Sequence, residues 1–374
     1  FLKKDNHLTN PSCRKKNVAI YFSSLSGTGG GAERQMIRLS QGLIKKGFII
    51  HLITWDNQSA KSFYELPIQV NWHKLGGKKN DVGKLQRFWA LFKTLRQNNI
   101  HKLIGFVVAN NKVVILACML LRTKIIAAER NGPSLYYIKH SRFSRWANFL
   151  SLLTSEKIVL QFEDFKSGYP RFLQRKICTI QNIITQKKLS PNKVNPTKKG
   201  FQILFLGRLD PVQKQPALLL QAFLSLAKSY PNTRLKIVGD GEASAALEKL
   251  KNTSEFGERV ILLPSTLNVD KIFDESDLFV IPSLWEGSPN SLIEAMNHGL
   301  PAIGFNVDGV RQLIVHNKTG WLIDEINVES LSATIALAIS DPKNLSEFSK
   351  NAKSYWSSHN NKKIFDEWEK LINF

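Results

Sequence analysis

The sequence predicts an α/β protein made of two doubly wound domains, each built on a parallel sheet. Its 374 residues suit two domains of ordinary size, each large enough to bury a core of its own. Short apolar runs alternate with helical patterns along almost the whole chain, as in parallel sheets whose strands are joined by helices. A stretch rich in Lys, Asn and Pro, residues 185–200, has no apolar period and separates two such series.

In the first series, runs rich in Val and Ile predict the strands, and apolar residues at helical spacing predict the helices. The predicted strands cover residues 18–22, 49–54, 103–108, 124–128 and 157–160. The predicted helices cover residues 32–46, 85–96 and 111–121. Gly47 is placed to end the first helix. The alternation indicates a parallel, doubly wound sheet.

The second series repeats this alternation. Its predicted strands lie near residues 202–206, 234–238, 260–263, 278–281 and 301–304. Its predicted helices lie near residues 216–229, 243–251, 268–276, 291–297 and 328–340. The terminal stretch 345–374 is also predicted to be helical, with apolar faces formed by Trp356, Phe365, Trp368, Leu371 and Ile372. We therefore predict domains at residues 1–187 and 201–356, joined by a linker at 188–200.

The net charge of +22 is concentrated in one half of the chain. Residues 1–195 hold 33 Lys and Arg against 9 Asp and Glu, a net +24, whereas residues 196–374 hold 19 against 21, a net −2. An asymmetry of this size predicts an anionic partner for the first half, which is a membrane surface, a polyanionic acceptor or a nucleic acid. A basic surface that serves only solubility is the alternative.

Cysteine usage and hydropathy favour a cytoplasmic location. Cys13, Cys118 and Cys178 are widely spaced and odd in number, which is typical neither of a disulfide framework nor of a metal site. The longest apolar run, residues 113–121, is too short to cross a bilayer. The first residues lack the apolar core of a signal peptide.

The most informative motif is the stretch 286–294, with the sequence EGSPNSLIE. A predicted strand precedes it, and a predicted helix begins within it, where Asn290 or Ser291 can cap the helix. A helix start presents free N–H groups and a partial positive charge, which suits a phosphate. Glu286 and Glu294 on either side can accept hydrogen bonds from sugar hydroxyls. The stretch predicts a site for a nucleoside-diphosphate sugar, and a capped helix with two solvated glutamates is the alternative.

Three further stretches place polar residues or glycines directly after predicted strands, where open parallel sheets bind ligands. Arg208 suits bidentate binding of a phosphate, and Lys214, six residues later, adds a point charge. Surface cations around a loop are the alternative for this pair. The glycines in these stretches are Gly207, Gly239 in the turn GDGE, and Gly30 and Gly31 in the sequence SLSGTGGGAER at residues 24–34.

Together these motifs resemble those of the retaining glycosyltransferases of family 4, which have the GT-B fold of two Rossmann-like domains facing each other across a cleft. The matching pieces are the sequence GGAE at 30–33, the Arg208/Lys214 pair, the turn at 239–242 and the Glu-x7-Glu pair. Their order and spacing span nearly the whole chain, so the combination is specific although no single piece is. The resemblance also implies that the last helix, residues 357–374, crosses back onto the first domain.

The resemblance implies a role for each matching residue. Glu286 contacts hydroxyls of the donor sugar, and Glu294 contacts the nucleotide ribose. Arg208 and Lys214 neutralise charge that develops on the leaving diphosphate, which is electrostatic catalysis. The remaining donor-binding positions are the backbone N–H groups of Asn290, Ser291 and Leu292 at the distal phosphate, Gly30 and Gly31, which allow close backbone approach, Gly207, Gly239, and Leu263 at the edge that holds the base.

Two positions depart from the family pattern. Gly usually follows the Lys of the cationic pair, whereas this chain has Gln215. Many members place a His in the loop after the strand at 124–128, where this chain has the sequence ERNGP at 129–133. Arg130 and Asn131 are hydrogen-bond donors that can contact the donor sugar in place of that His.

We expect the reaction to need no metal and no cofactor. No Asp-x-Asp occurs in the sequence, and the histidines show no ligand spacing. Cationic side chains and helix dipoles would then stabilise the diphosphate as Mg²⁺ does in other enzymes. The resemblance implies retention of configuration by attack on the same face of the sugar, assisted by the departing phosphate.

Two predicted helical segments of the first half combine aromatic and basic residues, which lie well at an anionic membrane interface. In residues 135–150 the membrane and the protein core are equally favoured, whereas for residues 85–96 the core is favoured. The apolar residues are Tyr136, Tyr137, Phe143, Trp146, Phe149 and Leu150 in the first segment, and Leu85, Phe88, Trp89, Phe92 and Leu95 in the second.

Two functions follow from these patterns. The first is a glycosyltransferase that is peripheral on the inner face of the cell membrane. It moves a hexose or N-acetylhexosamine from a nucleoside-diphosphate sugar, with UDP favoured, to a lipid-linked or polysaccharide acceptor. The second is a nucleic-acid- or polyanion-binding protein on a catalytically inactive GT-B fold. The four-part site favours the enzyme, and no nucleic-acid recognition motif is found in the sequence.

Overall fold

The structure, a computed structural model, describes residues 16–27, 29–76, 83–184, 200–357 and 359–374. Its two parallel sheets, of seven and six strands, confirm the predicted pair of doubly wound α/β domains. The predicted linker at 188–200 lies almost entirely outside the described residues. The exact domain boundaries therefore remain a prediction.

The first sheet has the strand order β3-β2-β1-β4-β5-β6-β7. Every neighbouring pair of its strands is parallel. The strands are β1 Asn17–Tyr21, β2 Ile49–Thr54, β3 Asn71–Lys74, β4 Lys102–Phe106, β5 Lys124–Ala128, β6 Lys157–Leu160 and β7 Ile177–Thr179. The helices are α1 Gly31–Lys45, α2 Lys84–Gln97, α3 Lys112–Leu120, α4 Ser134–Ile138, α5 Arg142–Leu153 and α6 Arg171–Gln174.

The second sheet has the order β10-β9-β8-β11-β12-β13 and is also parallel. The strands are β8 Phe201–Leu206, β9 Thr233–Val238, β10 Val260–Leu263, β11 Leu278–Ile281, β12 Ala302–Phe305 and β13 Gly320–Ile323. The helices are α7 Pro216–Leu226, α8 Ser244–Asn252, α9 Asp270–Asp274, α10 Asn290–Asn297, α11 Val328–Ser340, α12 Pro342–Ser357 and α13 Asn361–Asn373.

The strand order fixes where a ligand can bind. In each sheet the chain turns from one direction to the other beside the first strand, between β1 and β4 and between β8 and β11. A crevice opens at the carboxyl ends of the strands at such a switch point. The glycine-rich stretch follows β1, the Arg208 stretch follows β8, and the EGSPNSLIE stretch follows β11. All three motifs therefore lie at a switch point.

The terminal stretch is helical, as predicted, and it forms two helices. The Asn360 side chain accepts hydrogen bonds from the N–H groups of Lys362 and Lys363, so a new helix begins there. Helix α12 packs on the second domain through Phe348, Ala352 and Trp356. Helix α13 packs on the first domain, where its apolar residues Ile364, Trp368 and Ile372 join Leu43 and Phe48 in the core.

Three strands at sheet edges were not predicted. β3 has the partly polar sequence NWHK, and β7 has only three residues, so neither has a long apolar run. Edge strands need less burial on both faces, so their sequences can be less hydrophobic. This reason does not apply to β13, whose sequence GWLI is apolar and mostly buried.

Both aromatic helical segments divide their apolar residues between core and surface. In α5, Phe149 is buried, whereas Phe143, Trp146 and Leu150 are exposed. Of the two locations left open for this segment, Phe149 therefore lies in the core and the other three residues lie at the surface. In α2, Phe88 and Leu95 are buried, as predicted for a core helix. Leu85 and Trp89, for which the core was also favoured, are exposed.

Candidate active site

A cavity of about 600 Å³ lies between the two domains and is lined by both. The predicted site residues that line it are Gly30, Gly31, Arg130, Asn131, Gly207, Arg208, Lys214, Gly239, Glu286, Asn290, Ser291 and Glu294. Of the predicted set, Leu263 and Leu292 are not among the lining residues. The sequence motifs thus converge on one cleft.

The cationic pair stands at the end of β8. Arg208 is exposed to the cleft, and Lys214 donates a hydrogen bond to a Glu286 carboxylate oxygen. Asp210 shapes the loop between them, because its carboxylate accepts the N–H groups of Val212 and Gln213 at 2.9 and 2.7 Å. Two cations and a carboxylate therefore meet at one wall of the cavity.

Gln215 explains why the family usually has Gly after this Lys. Its φ and ψ are 47° and 47°, a left-handed conformation that disfavours residues with a Cβ atom. The position needs that conformation because the loop turns there into α7, which begins at Pro216. The departure from the family pattern leaves the backbone geometry and the Lys214 charge in place.

The turn after β9 requires its glycines. Gly239 has a φ of 151°, and a Cβ on it would lie 1.9 Å from the carbonyl oxygen of Gly207. The neighbouring Asp240 accepts a hydrogen bond from the Ser265 N–H at 3.0 Å. This bond directs Ser265 toward the cleft, whereas Leu263 at the end of β10 does not reach it. Leu263 was predicted to line the donor site, and this prediction is wrong because Leu263 is not among the residues that line the cavity.

Helix α10 points its N-terminus at the cavity. Its first intrahelical hydrogen bond runs from the Ile293 N–H to the Pro289 carbonyl, so the N–H groups of Asn290, Ser291 and Leu292 precede it. The prediction that Asn290 or Ser291 caps the helix is wrong, because α10 begins at Asn290 and has no side-chain cap. An uncapped helix start leaves its donors available to an anion.

The Asn290 side chain crosses the cleft instead of capping its own helix. Its Nδ2 donates to the Gly31 carbonyl at 2.8 Å, and its Oδ1 accepts from Gln35 and Asn182 at 3.0 and 2.8 Å. A Cβ on Gly31 would lie 2.7 Å from Asn290 Nδ2. Gly31 therefore permits close contact between the first turns of α1 and α10.

Glu294 binds two arginines of the facing domain, neither of which was predicted to be a site residue. Arg34 Nη1 lies 2.5 and 2.7 Å from the two carboxylate oxygens, and Arg38 Nη2 lies 3.3 Å from one of them. Arg34 also lines the cavity. Their i, i+4 spacing on α1, directly after the GGAE sequence, was the available signal.

The loop before α1 is held by two carboxylates. Asp56, which is buried, accepts hydrogen bonds from Ser24, Ser26 and the Leu25 N–H. Glu33 accepts the Gly30 N–H at 2.9 Å, and burial raises the pKa of the Glu33 carboxyl above its usual range. The glycine-rich stretch is thereby fixed at the edge of the cleft.

The loop after β5 brings Arg130 and Asn131 to the cleft. The Arg130 guanidinium donates to Asn182 Oδ1 and lies 5.4 Å from the centre of the Phe106 ring. Burial lowers its pKa to about 10. The same loop contacts the second domain, because the Gly132 N–H donates to the Glu286 carbonyl at 3.1 Å.

Glu129, which starts this loop, is buried behind the cleft. Its carboxylate accepts a hydrogen bond from the Tyr136 hydroxyl at 2.7 Å, and burial raises the pKa of the Glu129 carboxyl. Glu129 therefore supports the loop from inside the domain, whereas Arg130 and Asn131 face the cavity.

Among the described residues, no group of three or more His, Cys, Asp or Glu side chains is arranged to hold a metal ion. Within the same residues, no helix has the length and apolarity needed to span a membrane.

Comparison with known sequences identifies related proteins. Residues 186–355 match the family model described as glycosyl transferases group 1. The chain is 26% identical to an uncharacterized glycosyltransferase of Haemophilus influenzae, over 96% of this chain and 100% of that protein. It is 28% identical, over 95% of this chain and 98% of the other, to an α-1,4-N-acetyl-D-galactosaminyltransferase of Campylobacter jejuni whose name gives an undecaprenol-linked substrate.

Solved structures share the fold at low identity. The TM-score is 0.77 with the Anabaena protein Alr3699/HepE in complex with UDP and glucose, at 16% identity over 95% of this chain and 99% of that one. It is also 0.77 with a mutant of S. aureus TarM crystallised with UDP, at 13% identity over 96% and 100%. The two domains that face each other across the cleft have the GT-B fold of these structures. The match to the glycosyl transferases group 1 model lies in the second domain.

Proposed function

We propose that this protein is a retaining, metal-independent transferase of a hexose or N-acetylhexosamine. Its donor is a UDP-sugar, and its acceptor is a lipid-linked or polysaccharide glycan at the inner face of the cell membrane. The observation that carries the proposal is the convergence of Arg208, Lys214, Glu286 and the N-terminus of α10 on one interdomain cavity.

The donor diphosphate has a suitable cradle. Arg208 and Lys214 supply charge from one side, and the N–H groups at the start of α10 supply donors and a partial positive charge from another. These groups are held in place before the reaction, so they can stabilise the leaving diphosphate without reorganising. With this much positive charge beside the diphosphate, the reaction does not need Mg²⁺.

Separate residues would bind the sugar and the nucleoside of the donor. Glu286, at the carboxyl end of β11, is placed to accept hydroxyls of the donor sugar, while Lys214 holds its carboxylate. Glu294 lies on α10, one helical turn after Asn290, and is placed to bind the ribose. Arg130 and Asn131 from the first domain would close over the sugar from the opposite wall.

A retained configuration fits these assignments. Glu286 is bound to Lys214 and would bind sugar hydroxyls rather than attack the anomeric carbon. The acceptor hydroxyl would then attack from the face that the diphosphate leaves, and a phosphate oxygen would take its proton. Retention is also the outcome expected from the resemblance to family 4.

The choice of UDP and of the acceptor rests on the relatives. An Escherichia coli relative, 32% identical over 48% of this chain, is named for transfer from UDP-Gal to a diphosphoundecaprenol-linked sugar. The Campylobacter jejuni relative is named for an undecaprenol-linked glycan, and a Bacillus subtilis relative for poly(glycerol-phosphate). Lipid-linked and polymeric anionic acceptors both suit a strongly basic first domain.

An aromatic surface on the first domain supports membrane association. Phe143 is 85% exposed, Trp146 stacks on Phe172, and Arg145 lies 4.4 Å from the centre of the Tyr137 ring. Exposed aromatic and apolar residues beside arginines, on a half of the chain with a net charge of +24, suit an anionic lipid interface. The members of this aromatic surface are Tyr137, Ile138, Phe143, Trp146, Leu150 and Phe172.

The test is a panel of nucleotide sugars. The purified chain is incubated with UDP- and GDP-linked hexoses and with UDP-linked N-acetylhexosamines, with and without a short-chain lipid-diphosphate glycan, and the released nucleotide is measured. We expect one UDP-sugar to be consumed, and faster with the acceptor. Consumption of no nucleotide sugar, together with a larger rise in melting temperature with an oligonucleotide than with UDP, would contradict the proposal.

A further inference from the structure

Asn182 connects the two walls of the cleft through its side-chain amide. It lies after β7, where the chain leaves the first domain, and it is buried. Its Oδ1 accepts from the Arg130 guanidinium, and its Nδ2 donates to the Ser288 carbonyl at 3.1 Å and to Asn290 Oδ1 at 2.8 Å. One amide thus binds the first-domain loop and the start of α10 at once.

The main chain that follows Asn182 is held by two side chains. The Gln35 side chain accepts the Ile183 N–H at 2.8 Å and donates to its carbonyl at 2.7 Å. The Asn361 side chain binds the Ile184 N–H and carbonyl in the same way, at 3.2 and 2.6 Å. Gln35 lies on α1 and Asn361 begins α13, and both helices pack in the first domain. Asn182 is therefore expected to stay with the first domain if the cleft opens.

Arg130 depends on this amide for its direction. Asn182 is the only hydrogen-bond partner that the described residues give its guanidinium, which otherwise rests against the Phe106 ring. The backbone of the loop is fixed separately, because Gly287 packs so closely that a Cβ there would lie 1.9 Å from the Arg130 carbonyl oxygen. The loop is therefore placed by Gly287 and the guanidinium by Asn182.

We infer that Asn182 is a positioning residue that couples closure of the two domains to the orientation of Arg130 toward the donor sugar. The inference rests on the proposed function. When the domains are closed, the bonds to Ser288 and Asn290 hold the amide so that its oxygen faces Arg130. When they open, those two bonds are lost, the amide can rotate, and Arg130 no longer has a fixed direction.

The test is a double-mutant cycle with Asn182→Ala and Arg130→Ala, measured with the UDP-sugar that the unaltered chain consumes fastest. If Asn182 acts through Arg130, Asn182→Ala should lower kcat about tenfold, and the double variant should be no slower than Arg130→Ala alone. The affinity for UDP itself, measured by calorimetry, should change less than about threefold, because neither side chain is assigned to the nucleotide. Losses that multiply in the double variant would overturn the inference.

Two further variants separate coupling from simple packing. Asn182→Asp keeps the acceptor for Arg130 but loses both hydrogen bonds that Asn182 donates to the second domain. We therefore expect this variant to have a lower kcat than the unaltered chain. Full turnover by this variant would overturn the coupling. Asn361→Ala removes the two hydrogen bonds to the Ile184 main chain and leaves Arg130 unchanged, so its loss of kcat should be smaller than that of Asn182→Ala. Failure of the unaltered chain to consume or bind any nucleotide sugar would overturn the proposed function and this inference with it. If the unaltered chain is active but the losses in the double-mutant cycle multiply, only this inference is overturned.

Discussion

Arg34 and Glu294 form an ion pair between the two domains, in which one guanidinium nitrogen lies 2.5 and 2.7 Å from the two carboxylate oxygens. The side chains are only 20% and 9% exposed, so the pair is shielded from solvent. Glu294 is also the residue assigned to the donor ribose. The contact that joins the domains and the contact expected for the nucleotide therefore share one carboxylate.

Arg34→Ala should destabilise the protein, because it removes the main partner of a nearly buried carboxylate. We expect a loss of about 1–3 kcal/mol in unfolding free energy, between the values of exposed and fully buried pairs. A denaturation cycle with Glu294→Ala should show that the two losses are not additive. The control is Lys124→Ala, since Lys124 pairs with Glu156 within the first domain and is exposed. Equal losses from Arg34→Ala and Lys124→Ala would refute the role of the interdomain pair.

Arg208→Ala and Lys214→Ala should each lower kcat by about 10²–10³, the usual cost of losing one electrostatic donor at a leaving group. The Arg208 variant should keep the stability of the unaltered chain, because Arg208 is exposed to the cleft. Lys214→Ala should keep the fold but lose about 1–3 kcal/mol in unfolding free energy, because it removes the cation that pairs with the nearly buried Glu286 carboxylate. Circular dichroism checks the fold, and turnover of the UDP-sugar checks the rate. Arg234→Ala removes an exposed cation from β9 outside the cavity and serves as the matched control. Near-normal turnover by both cleft variants would show that the phosphate assignment is wrong.

Glu286→Gln and Glu294→Ala should affect different steps. Glu286 is assigned to the sugar, so its substitution should lower turnover more than the affinity for UDP. Glu294 is assigned to the ribose, so its substitution should weaken UDP binding. Calorimetry with UDP, which has no sugar to transfer, separates the two effects. Equal changes of the UDP dissociation constant in both variants would undo the division between them.

The aromatic surface of the first domain should bind anionic vesicles in a salt-dependent way. Each Lys or Arg near such a surface contributes about 1 kcal/mol, and salt screens this attraction over a Debye length of about 8 Å at physiological strength. Co-sedimentation with anionic and neutral vesicles at low and high salt measures it. Arg142→Glu with Arg145→Glu should remove most of the electrostatic part, whereas Trp146→Ala should reduce the part that salt does not remove. Equal binding to both vesicle types, or none to either, would argue against a membrane partner.

The sequence was sufficient for the architecture because parallel, buried strands have continuous apolar runs. β5, β6, β10 and β11 have the predicted bounds, whereas β3 and β7 lack such runs and were missed. The positions of the motifs relative to the predicted strands then indicated most of the residues that line the cleft. The loops that follow β1, β8 and β11 start at the carboxyl edges of their sheets, so Gly31, Arg208 and Glu286 could be placed at the cleft from the sequence.

The contacts between the domains could not be predicted. They depend on which helix faces meet, and a single sequence carries no signal for that. Asn290 was predicted to cap its own helix because Asn is a favoured capping residue, but it crosses the cleft to Gly31 instead. Arg34 directly follows the GGAE sequence, but nothing in that motif indicates its partner Glu294, and Asn182 belongs to no local motif. The partners of both residues lie more than a hundred residues away.

The most direct test of the central claim is proton NMR of a reaction run in excess EDTA with the UDP-sugar that the chain consumes. The donor carries an α-linked sugar, and the anomeric signal of the product reports its configuration. We predict that the reaction proceeds at an unchanged rate and that the first product formed is the α-anomer. A β-linked product, or activity that EDTA abolishes and Mg²⁺ or Mn²⁺ restores, would contradict a retaining transfer driven by Arg208, Lys214 and the start of α10.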